Sequence, residues 1–342
     1  MRVAMYYKNR DVRLEEMPVP VIGKGEILLR VDASGICGSD VMEWYRIHKA
    51  PLVLGHEVAG VVAEVGEEVT GCKAGDRVAV AHHVPCNTCH YCMRGHHTVC
   101  DTLRTTNFDP GGFSEFIRVP SINVHSGIFH IPDNVSSEDA TFAEPLACVI
   151  RGQRLAGIQK GDTALILGSG ISGLLHVKSL RFSGAGRIFA TDMDDYRLEA
   201  AEHFGADKAI NAKEYSPDLL KKLNNNRLAD IVIVCATSSS AAEQAVSSVE
   251  RGGTVLFFAP LNYDQVLPIQ FNALFWRNEV TLTSSYGGSP ADYAMAMAML
   301  GSGKITVNDM ISHRFGLAEA GKGFQLVADA GKSLKVVVEP QK

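Results

Sequence analysis

A glycine-rich turn between an apolar strand and a helix constrains the possible folds of this chain more than any other feature. Residues 163–168 have the composition of a buried strand, and the residues from 171 onward have the apolar spacing of a helix. The run Gly168-Ser169-Gly170-Ile171-Ser172-Gly173 joins them. In such a run the first glycine permits a tight turn, the second lets the backbone approach a pyrophosphate, and the third lets helix and strand pack closely. This context predicts a dinucleotide-binding α/β domain whose helix N-terminus receives the phosphates.

The sequence beyond this turn alternates between short apolar runs and helical patterns. Strands are predicted at residues 163–168, 187–192, 208–211, 230–236, 253–259 and 280–286. Six strands with intervening helices are most economically arranged as a doubly wound parallel sheet of the Rossmann type. The predicted fold class is therefore α/β.

The amino-terminal part of the chain, up to about residue 150, has a β-rich pattern. Short apolar runs broken by Gly and Asp occur at Glu26–Val31, Val58–Val65 and Arg77–Val80. They predict a compact all-β domain whose loops are free to hold a site. After Gly288 the pattern predicts a helix at 291–303 and a short β-rich tail, which we expect to return to this first domain.

Asp192 ends the second predicted strand of the α/β domain, about 20 residues beyond the glycine run. A carboxylate there can accept hydrogen bonds from both ribose hydroxyls and would repel a 2′-phosphate, so we expect NAD rather than NADP. The predicted cofactor-binding residues are Gly168, Gly170, Ile171, Gly173 and Asp192. The alternative is a glycine turn of an ordinary α/β protein, with Asp192 capping the next helix.

Four of the eight cysteines lie close together, in the pattern Cys86-x2-Cys89-x2-Cys92-x7-Cys100. Four thiolates close a tetrahedral shell and leave no position for water or substrate, so the pattern predicts a structural zinc site. A redox CxxC pair and a set of buried free thiols are the competing interpretations. Because sulfur fills the predicted shell, the nearby histidines at 90, 96 and 97 are expected to be exposed loop residues.

A second set of metal-binding residue types is dispersed along the first domain. It comprises Cys37 in a Cys-Gly-Ser-Asp run, His56 followed by Glu57, and Glu144. One soft thiolate, one imidazole and carboxylates form a plausible open zinc shell. Each residue has an ordinary alternative as well: a buried thiol, a core histidine or a solvated carboxylate.

Composition and charge argue against other broad classes of function. The formal net charge of −5 does not favour a nucleic-acid surface, which needs clustered Lys and Arg. The first residues lack the apolar core of a signal peptide, and no stretch is apolar and long enough to span a membrane. We therefore expect a cytoplasmic protein, where reducing conditions keep cysteines available for metal binding or catalysis.

Several motifs occur in an order that resembles one protein family. They are CGSD at 37–40, GHEVAGVVAEVG at 55–66, KAGDRV at 73–78, the cysteine cluster, GGFSEF at 111–116, AEPLAC at 143–148 and GSGISG at 168–173. In this order they resemble the zinc-containing medium-chain dehydrogenases over essentially the whole chain, and most closely the sorbitol (polyol) dehydrogenase branch. Together these motifs are far more specific than any one of them.

The resemblance implies a domain organisation and a set of cofactors. A GroES-like catalytic domain would comprise residues 1–147 and 288–342, with a structural zinc lobe at 84–102, and an inserted Rossmann domain would comprise 148–287. One catalytic and one structural zinc ion and NAD would be bound. The resemblance also implies a homotetramer or a homodimer, paired through the nucleotide domains. Residues 280–286 are a candidate interface edge, and an interior strand is the alternative.

The resemblance also implies roles for individual residues. Cys37 and His56 would bind the catalytic zinc, and Glu57 would bind it directly or through water. Glu144 matches the polyol branch, where a glutamate replaces the cysteine of the ethanol-oxidising branch, and Cys148 is its rival for that place.

Two further residues receive roles from the same resemblance. Ser39 would be the first acceptor of the substrate proton. Arg197 would contact the adenosine of the cofactor, and a surface ion pair is the alternative role for this arginine.

Two positions depart from the family pattern. Met42 stands where the family often has the histidine that passes the proton to solvent, so the proton is expected to leave through Ser39, the nicotinamide ribose and water. Tyr286-Gly287-Gly288 stands where the polyol branch has an arginine that orients substrate hydroxyls, which puts sorbitol itself in doubt.

The expected activity is hydride transfer between NAD and a secondary alcohol or a polyol or sugar-like substrate. A 3-hydroxy amino acid, an aminocyclitol or a simple secondary alcohol are the alternative substrates. A catalytically silent binding or structural protein on the same fold is the alternative from a different class. Residues of the loop after Ser39, including Glu43 and Trp44, and the segment Arg104–Phe108 are expected to contact the substrate.

Overall fold

Secondary structure forms where apolar runs and helical spacing predict it, over the residues that this computed structural model describes, 1–261 and 264–342. The strands are β1 (Arg2–Lys8), β2 (Asp11–Glu16), β3 (Ile27–Ile36), β4 (Leu52–Val53), β5 (Glu57–Val65), β6 (Arg77–Ala81), β7 (Phe116–Val119), β8 (Ile128–His130), β9 (Ala164–Leu167), β10 (Ile188–Asp192), β11 (Lys208–Asn211), β12 (Ala229–Val234), β13 (Val249–Phe257), β14 (Thr281–Ser284), β15 (Ile311–Gly316) and β16 (Lys335–Glu339).

The α-helices are α1 (Glu43–Arg46), α2 (His90–Met93), α3 (Asp101–Thr105), α4 (Ser121–Gly127), α5 (Ser137–Ala140), α6 (Ala143–Leu155), α7 (Ile171–Ser183), α8 (Asp195–His203), α9 (Pro217–Leu223), α10 (Ser239–Ser248), α11 (Phe271–Leu274), α12 (Pro290–Gly301) and α13 (Ala320–Ala328). Short 3₁₀ helices cover Gly38–Val41, Ile47–Lys49, His97–Val99, Asn308–Met310 and Leu317–Glu319. No helix of the described residues is long and apolar enough to cross a membrane.

The described residues divide into two units by their contacts. The first unit comprises Met1–Ala147 and Gly287–Lys342, and the second comprises Cys148–Tyr286. The first unit contains a seven-stranded sheet in the order β15-β16-β3-β5-β6-β8, with β7 also pairing with β3, and a three-stranded sheet in the order β2-β1-β4. Strand β16 from the carboxyl-terminal tail pairs antiparallel with β3, so the two ends of the chain share one sheet.

The carboxyl-terminal tail contains more helix than the sequence pattern predicts. Helix α13 lies between β15 and β16, and its residues Ala320 and Phe324 are fully buried. Phe324 packs edge-on against Phe113 at 5.4 Å between ring centroids. The helix forms because this packing buries its apolar face, a tertiary effect that short-range periodicity does not report.

The second unit confirms the predicted six-stranded parallel sheet. Its strands follow the order β11-β10-β9-β12-β13-β14, and every neighbouring pair is parallel. This is the strand order of a doubly wound dinucleotide-binding fold, in which ligands bind beyond the carboxyl ends of the strands where the order reverses. The reversal lies between β9 and β12, directly at the glycine run that follows β9.

Strand bounds differ from the sequence prediction mainly at β13. The strand was predicted at 253–259, and it begins earlier, at Val249, because Val249 pairs with Ala229 of β12 before an irregularity in register. The apolar residues of β9, Ala164–Leu167, are all essentially fully buried, as a central parallel strand requires.

Candidate metal and nucleotide sites

The glycine run after β9 has the geometry that a phosphate-binding turn needs. Gly168 has φ +101°, and a Cβ there would meet the Ala236 backbone nitrogen at 2.9 Å. A Cβ on Gly173 would collide with the carbonyl oxygen of Gly168, so only glycine allows α7 to start this close to the strand. A Cβ on Gly170 would meet nothing within 4 Å, which leaves open space at the N-terminus of α7. A pyrophosphate fits this space, where unpaired N–H groups and the helix dipole favour an anion.

Asp192 holds its carboxylate against the same turn. Its Oδ2 accepts from the Ser169 amide at 2.8 Å, and its Oδ1 accepts from the amides of Met193 at 2.8 Å and Asp194 at 3.1 Å. The cap of α8 is a different residue, because the Asp194 side chain accepts from the Arg197 amide. Asp192 therefore lies at the edge of the predicted nucleotide site and does not act as the helix cap.

Arg197 lies on the first turn of α8 and is half-buried. Its guanidinium makes no hydrogen bond or ion pair with the described residues, and its Nε is buried. The surface ion pair considered from the sequence is thus absent among these residues. Ile171, the first residue of α7, is also half-buried and lies beside the open space at Gly170.

The four clustered cysteines come together as a compact set of sulfur atoms. Cys86, Cys89, Cys92 and Cys100 each offer a sulfur within 4.8 Å of the other three. The Cys89–Cys92 sulfur distance is 3.5 Å and the Cys86–Cys100 distance is 3.6 Å, close to the value of about 3.8 Å expected between thiolates around a tetrahedral zinc ion. All eight cysteines of the chain are free thiols. The donor set therefore fits a closed zinc shell and is far from disulfide geometry.

Backbone amides already point at these sulfurs. The Cys89 amide donates to Cys86 Sγ at 3.3 Å, and the Cys86 amide donates to Cys100 Sγ at 3.5 Å. The backbone and hydroxyl of Thr88, with the Cys89 amide, lower the pKa of the Cys86 thiol to about 5. The histidines at 90 and 96 are exposed and that at 97 is half-buried, and none belongs to the sulfur cluster.

The dispersed constellation meets where β3 ends and β5 begins. Cys37 follows β3 and caps a 3₁₀ helix, while His56 and Glu57 stand at the start of β5. One donor atom from each of these three residues lies within 4.8 Å of the other two. A thiolate, an imidazole and a carboxylate form a three-donor shell, which leaves a fourth position open. Glu144 is buried on the first turn of α6, and it does not belong to this group of three.

Asp40 orients the imidazole of His56. Its Oδ1 lies 3.2 Å from His56 Nδ1, and its Oδ2 accepts from the Cys37 amide at 3.0 Å. Burial disfavours the charged carboxylate, but His56, then Arg46 and the Cys37 amide, outweigh it and hold the pKa of Asp40 below its ordinary value. Because Nδ1 is engaged by Asp40, His56 Nε2 is the nitrogen left for a metal.

Glu57 forms a fully buried ion pair with Lys335, the first residue of β16. The Lys335 ammonium also lies 3.4 Å from the Ile36 carbonyl oxygen, one residue before Cys37. A buried ionic group without a partner would cost several kcal/mol, so the pairing with Lys335 offsets the cost of burying the Glu57 side chain beside the other two donors.

Arg46 donates two hydrogen bonds to the predicted proton acceptor, Ser39. Its Nε donates to the Ser39 carbonyl at 2.9 Å, and its Nη2 donates to Ser39 Oγ at 3.3 Å. Nη2 also lies 3.6 Å from Asp40 Oδ1, so one guanidinium holds both residues. Met42, where the family often has histidine, ends the same 3₁₀ helix.

Two histidines that the sequence analysis did not select lie beside this constellation. The His82 ring lies 4.8 Å from the His56 ring and 3.9 Å from the His83 ring, between centroids. Burial, with the neighbouring His83, His56 and Arg46, lowers the pKa of His82 well below its ordinary value. Burial also lowers the pKa of His83 to about 4, although its hydrogen bond to the Thr106 carbonyl opposes the shift. Both imidazoles are therefore neutral near pH 7.

The other residues predicted to contact substrate occupy different environments. Glu43 is exposed and accepts from the Asn9 amide at 2.9 Å. Trp44 is 46% exposed and packs on Tyr45, so no apolar core accounts for it. Phe108 is buried and meets the His82 ring edge-on.

Residues that sequence reasoning missed are Asp40, Arg46, His82, His83 and Lys335. Asp40 belongs to the Cys-Gly-Ser-Asp motif and could have been selected as a partner of His56. The two adjacent histidines directly follow a predicted strand, which is a usable signal as well. Nothing in the local sequence indicates the partnership of Lys335 and Glu57, which are 278 positions apart.

Comparison with known proteins gives a consistent picture for both units. Residues 23–133 match the model of the alcohol dehydrogenase GroES-like domain, and residues 172–302 match that of zinc-binding dehydrogenases. The chain is 31% identical to the sorbitol dehydrogenase of Bacillus subtilis (strain 168), over 100% of this chain and 98% of that protein. It is 30% identical to a protein of Neosartorya fischeri named Probable D-xylulose reductase A, over 96% of this chain and 93% of that one. Among solved structures it resembles an alcohol dehydrogenase of Escherichia coli CFT073 complexed with NADH, with a TM-score of 0.88, 28% identity and 99% of both chains covered.

Proposed function

Because this chain belongs to the family of zinc-binding alcohol dehydrogenases with a GroES-like domain, we propose that it oxidises a secondary alcohol or polyol with NAD as the hydride acceptor. The observation that carries the proposal is the open three-donor shell of Cys37, His56 and Glu57, with the Ser39 amide donating to Cys37 Sγ at 3.5 Å. A closed shell of four protein donors would leave no place for a substrate oxygen, whereas a shell of three donors leaves one position open for it.

The two cofactors would supply the part of the chemistry that side chains cannot. Cys37, His56 and Glu57 would hold a zinc ion that would supply Lewis acidity toward an alcohol oxygen, and NAD would supply the hydride acceptor. The glycine run, Asp192 and Arg197 would hold the dinucleotide. Glu144, buried near the start of α6, is the remaining carboxylate that we assign to this site, directly or through water.

The side chains around Ser39 would move the proton. Ser39 Oγ would accept the proton of the alcohol as it passes its own proton on, and Arg46, which donates to this oxygen, holds the hydroxyl in place. Arg46 cannot accept the proton, because a guanidinium is not deprotonated in proteins, and Met42 has no group that could. The proton therefore leaves through water or hydroxyl groups that reach Ser39.

The test is NADH formation, followed by nicotinamide absorbance, against polyols, aminocyclitols, 3-hydroxy amino acids and simple secondary alcohols. Zinc per chain is determined on the same sample, and each assay is repeated after treatment with a zinc chelator. We expect two zinc ions per chain, one for each donor cluster, and a signal that the chelator abolishes. Silence across the whole panel with both ions bound would instead support a binding protein on the same fold.

Cofactor choice gives a separate prediction at Asp192. Replacing it by alanine (Asp192→Ala) is expected to weaken NAD binding about 10-fold to 100-fold, because hydrogen bonds from the ribose hydroxyls to a charged group are lost. Removing the carboxylate also removes its repulsion of a 2′-phosphate, so the ratio of kcat/KM for NADP to that for NAD should rise.

The matched control for this prediction is Asp194→Ala, which removes a neighbouring carboxylate and the cap of α8. It should cost about 1 kcal/mol of stability and leave the cofactor ratio unchanged. Since Asp192 also holds the Ser169 amide, a purely structural role would weaken NAD and NADP equally. An unchanged ratio in Asp192→Ala would remove Asp192 from cofactor discrimination.

We further propose that the enzyme is a homo-oligomer, a dimer or a tetramer, built on pairing of two copies along β14. This strand is at one edge of the described sheet of the second unit. The segment leading to it exposes apolar side chains, with Val266 82%, Phe271 69% and Trp276 67% exposed. A symmetric pairing of edge strands would cover both the open backbone groups and this apolar surface.

Oligomerisation is tested with a charge in the exposed segment. Phe271→Asp should shift the sedimentation coefficient toward that of a smaller species, since a carboxylate is then buried without a partner. Val21→Asp, which changes an exposed apolar residue of the first unit, is the control and should leave the mass unchanged. A wild-type chain that sediments as a monomer would contradict the proposal.

We also assign the protein to the cytoplasm. All eight cysteines are free thiols, and four of them form the proposed metal-binding cluster. Such thiols remain available to bind a metal in a reducing compartment, where disulfides rarely form.

A further inference from the structure

The two adjacent histidines after β6 are held in place from both sides. On one side, the buried amide of Asn123 donates to the carbonyl oxygens of Ala81 at 2.9 Å and His82 at 2.8 Å. On the other side, His83 Nδ1 donates to the Thr106 carbonyl oxygen at 2.7 Å, and the Val84 amide donates to Thr106 Oγ1 at 3.0 Å. The backbone at this point is therefore preorganised, as side chains that recognise a ligand need to be.

The His82 ring itself is packed but makes no hydrogen bond. It touches the rings of His56, His83 and Phe108, with 6.3 Å between the centroids of His82 and Phe108. Neither of its nitrogens bonds to a described residue, and Nδ1 is buried. An imidazole that is fixed this firmly and left without a partner indicates that a bound molecule completes its hydrogen bonding.

The position of this ring decides which part of a bound molecule can reach it. His56 is one of the three donors of the open metal shell, and the His82 ring is in direct contact with the His56 ring. With 4.8 Å between these two rings, the substituent on the next carbon of a substrate whose reacting oxygen enters that shell would lie within reach of His82. Nδ1 is buried, whereas Nε2 is not among the buried atoms without a partner, so Nε2 is the nitrogen that such a substituent would meet.

We propose that His82 hydrogen-bonds the hydroxyl on the carbon next to the one that is oxidised, which makes it a specificity residue for vicinal diols and polyols. The inference rests on the proposed function, since it takes the open shell of Cys37, His56 and Glu57 as the place of the reacting oxygen. It narrows the substrate class from secondary alcohols in general to those with a neighbouring hydroxyl. A simple mono-alcohol would leave His82 without this hydrogen bond. The enzyme would therefore prefer the diol over the mono-alcohol by the free energy of that bond.

The test compares a vicinal diol with a mono-alcohol of the same carbon skeleton, 2,3-butanediol and 2-butanol, in the zinc-loaded protein. For each, kcat/KM is measured with NAD, and binding is measured separately by fluorescence titration of the NADH complex, in which no turnover occurs. We expect the wild type to favour the diol about 10-fold to 100-fold in both measurements. His82→Phe, which keeps the ring packing, should bring both ratios close to one. His82→Asn, which keeps a hydrogen-bonding group, should retain part of the preference.

Matched controls separate this role from a structural one. His48→Phe changes an exposed histidine on the 3₁₀ helix Ile47–Lys49 and should keep the wild-type ratio. If His82→Phe and His82→Asn lower the values for both alcohols equally, so that the ratio stays at its wild-type value, the proposal is overturned and His82 only supports the metal site. A wild-type protein without preference for the diol in either measurement overturns it as well.

The two measurements also separate this inference from the proposed function. Preferential diol binding that depends on His82, without any turnover, keeps the inference and refutes the dehydrogenase activity. Turnover of both alcohols with ratios that do not respond to His82 keeps the activity and refutes the inference.

Discussion

Replacing His56 by alanine (His56→Ala) is expected to abolish alcohol-dependent NADH formation while NAD binding persists. The imidazole is one of three donors of the open shell, and its Nδ1 lies 3.2 Å from Asp40 Oδ1, a contact that orients the ring. A Lewis acid at this place contributes several kcal/mol to the reaction, so loss of the donor should lower kcat/KM by a factor on the order of 1,000 or more. Zinc per chain should fall by one. NAD affinity should persist because the glycine run and Asp192 belong to the second unit.

The control for this result is His48→Ala, an exposed histidine on the 3₁₀ helix that follows α1. It should retain wild-type kcat/KM and zinc content. A His56→Ala protein with full activity and unchanged zinc would exclude His56 from the metal shell. Activity lost together with NAD binding would instead indicate general misfolding, which a thermal unfolding curve recorded on the same sample would reveal.

Replacing Cys89 by serine (Cys89→Ser) is expected to destabilise the protein by more than about 4 kcal/mol, as loss of a structural metal does. The lobe around the four cysteines has almost no apolar core: besides the cysteine sulfurs, the buried hydrophobic residue of this cluster is Leu103. Tyr91 and Met93 beside it are 44% and 76% exposed. A bound ion would therefore supply the folding free energy that side-chain burial cannot. The measurements are zinc per chain, the unfolding midpoint and the fraction of aggregated protein.

The matched control is Cys72→Ser, a half-buried cysteine that packs against the β-sheet core of the same unit and belongs to neither metal cluster. It should keep two zinc ions, and its free energy of unfolding should fall by at most about 1–2 kcal/mol, as is usual for substitution of a partly buried residue. A Cys89→Ser protein that unfolds like the wild type and keeps both ions would contradict the structural-zinc assignment. That outcome would favour the redox or free-thiol interpretation of the cluster.

Features whose residues are close in the sequence could be predicted without the structure. The glycine run works through a turn of six residues, and its close approach at Gly173 is a local requirement. The cysteine cluster spans only residues 86–100, so its spacing alone brings four sulfurs together. The alternation of strands and helices in the second unit is likewise local, and it predicted the parallel sheet correctly. In each case short-range sterics and periodicity decide the outcome.

Features made by residues far apart could be predicted only where the family resemblance supplied them. The resemblance proposed that Cys37, His56 and Glu57 act together, and folding brings their donor atoms within 4.8 Å because β3 and β5 are neighbours in one sheet. Whether Glu57 or Glu144 belongs to that group of three could not be settled from the sequence. Only the packing of the sheet and the placement of α6 separate the two carboxylates.

The sequence by itself therefore determined the fold class, the glycine turn after β9 and the clustering of the four cysteine sulfurs, because these depend on spacing over a few residues. The tertiary structure alone decided what surrounds the open shell. Lys335 reaches Glu57 across 278 positions, and Thr106 holds His83 across 23. Such contacts follow from how strands and loops pack against one another, and a linear pattern carries no signal for them.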